Sequence, residues 1–447
     1  MDKHELIYQI GTLKLKDLVP ITSVRTDEDI YFYKNKGYSV VKINEFMTHE
    51  SLLPHLDHLY YQKEFGFGEI LYYNPKELEL FSIGLYCDTE IKEFNSDSGK
   101  LIDEFKLKNK KLIESGEISL FVVRLPESYR MEFICKNLQY IPDNLQYEAF
   151  LSAYTSTDYG AMYINENVLK KIVKQKTKEK KENTLKTIIN FPDTIHIYRG
   201  IGDKSQKNGF SYTLDPNVAR FFAFRHSIHA DEVCIIEGDV QKEQIIEYID
   251  NRGEKEVIVL PDTVLNKQIT YYYGLEDMLC TYSKVISIYQ KQKVYLEKYL
   301  KTNPIIGGEH DQNHLLRVLI LCIFLAEHYN IKKTYRKYLY NAAMFHDIGR
   351  INQDEDVEHG LLSYQALCKY DKKYESSLLK RLMEYHCKDD DLTIFTDDEQ
   401  ILYKILKDAD ALDRQRFGLR ELDESYLRLD FSKELLFTAF QLTKTKL

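Results

Sequence analysis

Six of the chain's 13 histidines fall between positions 310 and 386: His310, His314, His328, His346, His359 and His386. They stand in the segments His314-Leu-Leu-Arg317, Phe345-His346-Asp347-Ile-Gly-Arg350, Glu358-His359-Gly360 and Tyr385-His386. Lys407-Asp408-Ala-Asp410-Ala-Leu-Asp413-Arg414 follows them. A helix over 314–326 is apolar almost all round, which puts it inside a bundle. A His at the solvent-poor start of such a helix is costly unless it has a partner. His346-Asp347 closes a second apolar run, Tyr338–Phe345. Helix bundles build metal sites from imidazoles and carboxylates on several helices. Mixed nitrogen and oxygen ligands with open positions suit one or two ions of Mn, Fe, Ni, Co or Zn. Such an ion lowers the pKa of a bound water and polarises a phosphoryl group.

A second constellation precedes it. Ile195-His-Ile-Tyr198-Arg199-Gly200 alternates like a strand and ends in a guanidinium. Ser211-Tyr212-Thr213 and Glu254-Lys255-Glu256 follow. Residues two apart on a strand share a face, so Ser211 and Thr213 are expected to point together, as are Glu254 and Glu256. An Arg fork grips phosphate or diphosphate. Paired carboxylates stabilise an oxocarbenium-like sugar and orient an incoming nucleophile. The set fits a nucleotide whose glycosidic bond is cut.

The order Arg, Ser-x-Thr, Glu-x-Glu resembles the Arg–Ser–Glu class of ADP-ribosyltransferases over residues 126–275, counting the helical lobe ahead of the strands. The resemblance implies that Tyr198, Arg199 and Gly200 hold NAD. Ser211 and Thr213 would order the pocket, Glu256 would act on the ribose and Glu254 would orient the acceptor, an Arg in members that carry Glu at that position. Tyr212 departs from the small residue usual in the middle of the Ser motif. Residues 276–447 resemble the HD superfamily of metal-dependent phosphohydrolases. That resemblance implies His314, His346, Asp347 and Asp408 as core metal ligands, with His359 and His386 carrying a second ion. Among the neighbours, His310 either faces substrate or caps the helix, Arg317 is placed to bind substrate phosphate, and Arg414 to pair with the adjacent Asp cluster.

The elements that must position these residues give a multidomain chain. Residues 1–125 read as α+β of unknown role, with strands at 36–43, 68–73 and 118–125. Residues 126–275 read as an α+β ADP-ribosyltransferase-like domain, and 276–447 as an all-α HD bundle. His55 and His58 read as ordinary polar helix positions, His226, His229 and His328 as surface residues, and the eight lysines from 170 to 186 as a solvated helix face. The net charge of −9 argues against a dedicated nucleic-acid binder. Seven scattered cysteines without a CxxC pair argue for a reducing cytosol. The acidic N-terminus does not read as a signal peptide, and no apolar run reaches the roughly 20 residues of a membrane span. Delivery as an effector without a cleaved signal is compatible with this.

The expected function is therefore twofold. One activity transfers ADP-ribose from NAD to a macromolecular acceptor. The other hydrolyses a nucleotide-type phosphate ester with a divalent metal. Two alternatives stand beside it: a phosphohydrolase whose transferase-like domain only binds or hydrolyses NAD, and a non-catalytic nucleotide-binding regulator. Two nucleotide-handling domains in one chain also fit a toxin or effector, by domain content alone.

Overall fold

The computed structural model describes residues 14–23, 50–62, 68–86, 98–157, 163–202, 208–225, 227, 232–305, 308, 310–351 and 357–445. The strand expected over 36–43 and His4, His49, His226 and His229 lie outside these residues. The chain divides into two compact units, Met1–Asn190 and Phe191–Leu447.

The first unit opens with a four-stranded antiparallel sheet in sequence order: β1 (Leu18–Pro20), β2 (Leu59–Gln62), β3 (Gly68–Asn74) and β4 (Glu79–Tyr86). Six helices follow: α1 (Ser98–Glu114), α2 (Ile118–Val123), α3 (Glu127–Lys136), α4 (Asp143–Thr155), α5 (Glu166–Lys174) and α6 (Lys178–Thr187). The segment 118–125, expected as a strand, is helical instead. Its buried residues Ile118, Phe121, Val122 and Leu125 fall at i, i+3, i+4 and i+7, the helical period, which overrides their β-branched composition. The helices from 126 to 190 were expected to belong with the strands that follow them, but they lie in the first unit. Buried Glu132 on α3 accepts the backbone N–H of Leu15 at 2.7 Å, and Phe133 meets Tyr73 of β3 edge-on. The expected boundary at 125/126 is therefore not a division of the fold. His55 is buried, and the lysine run is solvated except for Lys176, which donates to Thr184 at 2.6 Å.

The second unit begins with β5 (Thr194–Ile201), β6 (Ser211–Thr213), α7 (Pro216–Phe224), β7 (Val233–Gln241), β8 (Glu247–Ile249), β9 (Glu256–Ile258) and β10 (Leu265–Tyr272). The strands form one antiparallel sheet in the order β10-β7-β5-β6-β9-β8. Asp215 caps α7 by accepting the N–H of Asn217, and Pro216 opens the helix. The helix approaches β5 at Gly200, where a Cβ would stand 1.9 Å from the Ala219 carbonyl. A helical bundle follows: α8 (Leu275–Thr281), α9 (Val285–Leu300), α10 (Gln312–His328), α11 (Lys333–Phe345), α12 (His359–Tyr370), α13 (Ser377–Tyr385), α14 (Asp397–Asp413), α15 (Asp430–Glu434) and α16 (Leu436–Lys444). Every residue of α10 from His314 to Ala326 is buried, as its uniform apolarity requires. Among the described residues no helix is long and apolar enough to cross a membrane.

The sheet and the bundle share one core, so the boundary expected at 275/276 does not separate two of them. Ala223, Phe224 and Val233 belong to the same apolar cluster as α10, and Phe224 lies 5.0 Å from Phe437. Arg220 of α7 is fully buried. It pairs with Glu424 and donates to the Leu422 carbonyl at 2.5 Å. Removing one partner of a buried pair strands a charge, whereas replacing the buried cation with a chain of similar volume does not. Glu424 is 27% exposed and can turn to water. Glu424→Ala is therefore expected to cost about 3 kcal/mol in urea unfolding, and Arg220→Met much less. The reverse ranking would show that the pair does not fasten the loop to α7.

Candidate functional site

Four helices deliver imidazoles to one buried carboxylate. Asp311 caps α10 by accepting the N–H of His314, which fixes His314 in the first turn. His346 and Asp347 follow α11, His359 opens α12 and His386 follows α13. All five residues are at most 5% exposed. His314 Nε2 stands 3.1 Å from His346 Nε2, and His359 Nε2 stands 3.0 Å from His386 Nε2. Asp347 lies between the pairs, its Oδ2 3.5 Å from His314 Nε2 and its Oδ1 3.0 Å from His359 Nε2.

The outer ring nitrogens decide what the inner ones can do. His346 Nδ1 meets the Ala343 carbonyl at 3.0 Å, and His386 Nδ1 meets the Met383 carbonyl at 2.6 Å. His314 Nδ1 meets the Asp413 carboxylate at 2.8 Å. These partners only accept, so each Nδ1 carries the hydrogen. In the neutral rings every Nε2 then presents a lone pair inward. Facing lone pairs about 3 Å apart repel unless a proton or a cation lies between them. Two nitrogens bound at about 2.1 Å and a right angle to one ion stand about 3.0 Å apart, so the donor spacing fits a divalent metal. Asp347 Oδ1 is buried without a well-directed hydrogen bond, which fits the same reading.

Protons serve where no cation is bound. Burial works against a charge on His314, but the Asp347 and Asp413 carboxylates outweigh it and push its pKa up to about 9. Burial also opposes charge on His359, and Asp347 with Cys387 raises it to about 10. Burial wins at His346, which is lowered. Burial disfavours ionised Asp347 too, yet His346, His310, His314 and His359 hold it well below the carboxylate range. In the first pair the raised His314 thus faces the lowered His346, a donor ring opposite an acceptor.

Four of the sequence expectations need correction. Asp408 is not at this cluster. Its carboxylate accepts the N–H groups of Arg428 and Leu429 and the hydroxyl of Ser432. Asp410 takes the place instead, its Oδ1 3.5 Å from His314 Nε2 and 3.7 Å from His346 Nε2. Residues two apart on a helix are rotated by about 200°, so only one of the two can face the imidazoles. Arg317 does not stand ready for substrate; it holds Asp413 through Nε at 2.5 Å and Nη2 at 3.1 Å. Arg414 donates to the Glu421 carbonyl at 3.3 Å, not to the Asp cluster. Glu254 and Glu256 do not share a strand face, because β9 begins at Glu256 and Lys255 has a φ of 45°. His310 is brought in: its Nδ1 is 2.6 Å from Asp347 Oδ2. Residues that sequence reasoning missed are Asp410, Asp413, Arg350 (Nε 3.1 Å from Asp347 Oδ2) and Cys387. The i, i+3 pairing of Asp410 with Asp413 was the available signal.

In the sheet, the Arg199 guanidinium donates to the Ser211 carbonyl at 2.6 Å. It lies against Gly209, where a Cβ would be 2.0 Å from Nη2. The Ser211 hydroxyl donates to Glu256 across β6 and β9. Thr213, opposite Glu256 in register, donates to the Glu254 carbonyl at 2.6 Å. Arg199, Ser211 and Glu256 are thus linked in sequence by hydrogen bonds. Tyr198 pairs with Thr213 in the ladder, and Gly200 faces α7. Tyr212 alternates to the opposite face from Ser211 and Thr213. Glu254 lies 3.1 Å from Arg252 and 3.8 Å from Arg420.

The two aspartates of α14 give separable expectations. Asp410→Ala should weaken Mn or Zn binding in calorimetry by about 10–100-fold and leave the metal-free melting curve nearly unchanged. Asp408→Ala strands the N–H groups of 428 and 429 and should cost about 3 kcal/mol of stability with metal stoichiometry retained. Loss of metal from a normally folded Asp408→Ala protein would return the ligand role to Asp408.

Residues 312–415 match the family model described as HD domain. The match contains the helices that carry His314, His346, Asp347, His359, His386 and Asp410, and it stops short of β5–β10. Searches of curated proteins and of solved structures found no match. Over residues 312–415 the bundle is therefore similar to an HD domain, and sheet-containing regions precede it.

Proposed function

We propose that the chain is a metal-dependent phosphohydrolase acting on a nucleotide-type phosphate ester at the HD bundle. The observation that carries this reading is the set of inward Nε2 atoms of His314, His346 and His386, fixed by acceptors on Nδ1 around the buried Asp347. His314, His346, Asp347 and Asp410 hold one divalent ion, and His359 and His386 a second. Ions held there would lower the pKa of water and offset negative charge on the phosphoryl group. Asp413, itself gripped by Arg317 and Arg416, keeps the His314 ring oriented. His310 and Arg350 are part-exposed nitrogen groups beside Asp347 (side chains 15% and 14% exposed) and bind the substrate phosphate. The test is release of phosphate or nucleotide from a panel of phosphomonoesters, cyclic nucleotides and nucleoside triphosphates, with Mn, Co or Zn. His346→Ala should lower the rate at least about 10²-fold while the fold persists. No metal uptake by the purified chain, or equal rates for the variant, would overturn the reading.

We propose a second activity for the sheet, favoured by the chain of bonds from Arg199 through Ser211 to Glu256: ADP-ribosyl transfer from NAD to a macromolecular acceptor. Arg199 holds the diphosphate. Glu256, oriented by Ser211, hydrogen-bonds the ribose and stabilises its positive charge as nicotinamide leaves. Glu254 orients an Arg acceptor after exchanging its pairs with Arg252 and Arg420. An Arg acceptor arrives protonated and needs that carboxylate; water does not. With labelled NAD and a cell lysate, Glu256→Ala should lower both transfer and NAD hydrolysis by about 10²–10³-fold. Glu254→Ala should stop transfer and leave slow hydrolysis. Nicotinamide release unchanged in both variants would remove the transferase and leave the HD bundle as the catalytic part.

A further inference from the structure

The turn after α13 sets a sulfur beside two of the imidazoles. One ligand atom from each of His359, His386 and Cys387 lies within 4.8 Å of the other two. The two Nε2 atoms are 3.0 Å apart. Cys387 directly follows His386, whose Nδ1 is engaged by the Met383 carbonyl at 2.6 Å, so ring and thiol hang from one turn. That turn is pressed onto the start of α12. A Cβ at Gly360 would stand 2.1 Å from the Met383 carbonyl oxygen and 3.1 Å from His386 Nδ1. The imidazoles are 2% and 5% exposed. The thiol is half-buried and donates to the Val357 carbonyl at 3.3 Å, a contact it can exchange.

We propose that Cys387 joins His359 and His386 as a ligand, making a second, sulfur-containing metal position that takes a thiophilic divalent ion such as Zn or Co. This rests on the metal-centre reading of the bundle. Bond lengths of about 2.1 Å to nitrogen and 2.3 Å to sulfur put tetrahedral N and S ligands about 3.6 Å apart, within reach of a rotation of the cysteine side chain. The ion binds the thiolate and the thiol proton passes to solvent; nothing is oxidised. A thiolate favours Zn and Co over Mg and Mn, whereas the His314, His346, Asp347 and Asp410 set offers only nitrogen and oxygen. The bundle then holds two positions of unlike softness, and the second sets which metal the protein retains.

The full chain, stripped of metal and titrated with Co, tests this by absorbance. Wild type should show a near-ultraviolet thiolate-to-cobalt charge-transfer band. Cys387→Ser should lose that band but keep visible cobalt bands from the first position, and Cys280→Ser, at an exposed cysteine, should keep both. X-ray absorption on the wild-type Zn form should show a sulfur neighbour at about 2.3 Å, a readout that needs no variant. Cobalt binding without a charge-transfer band, a band surviving Cys387→Ser, or only N/O neighbours at zinc would overturn the proposal and leave the metal centre standing. A chain that binds neither metal would overturn both.

Discussion

A carboxylate that must be charged in a place with almost no water governs the second unit. Asp347 is 5% exposed, and an ionised carboxylate in such a place is stable only with countercharge and hydrogen bonds. Imidazoles from α10, α12 and the turns after α11 and α13 supply them. Each helix has to start or stop where its His reaches Asp347. Asp311 therefore caps α10 just before His314, and α11 and α13 both end one residue before their histidines. The apolar mass of α10 is what holds this arrangement dry.

Helix α14 serves two purposes on two sides. Asp410 and Asp413 turn toward the imidazoles, and Asp413 is backed by Arg317 and Arg416. Asp408 faces the other way and ties down the chain at 428–432 through backbone N–H groups. Between these points the segment after α14 reaches the sheet, where Leu422 and Glu424 receive Arg220 and Arg420 approaches Glu254. The same stretch of chain thus contacts the helix beside the imidazole cluster and the carboxylate beside Ser211. The apolar core that α7 and α16 share packs sheet and bundle into one compact unit.

The Arg199 cluster has a different physical basis. Its members sit on β5, β6 and β9, neighbours in the sheet but widely separated in sequence. Antiparallel register puts Thr213 opposite Glu256 and leaves Ser211 diagonal to it on the same face, within side-chain reach. Glu254 escapes that register because Lys255 takes a left-handed backbone.

The sequence by itself determined the periodic elements and the residue types of the sites. Strand β5 and helices α10 and α11 were legible because apolar period is a local property, and the resemblance to the HD superfamily, not spacing alone, singled out His314, His346, Asp347, His359 and His386. The strand expected over 118–125 failed through period: its burial repeats every three to four residues. The tertiary structure alone decided which aspartate of α14 faces the imidazoles, since 408, 410 and 413 are all acidic and only the docking of the helix fixes its rotation. It also decided that Arg317 is consumed by Asp413 and that the helices of 126–190 belong with the first sheet. It alone put a fully buried Arg220 between sheet and bundle. Each of these depends on contacts between residues far apart in the chain, and spacing along one segment carries no information about what packs against it.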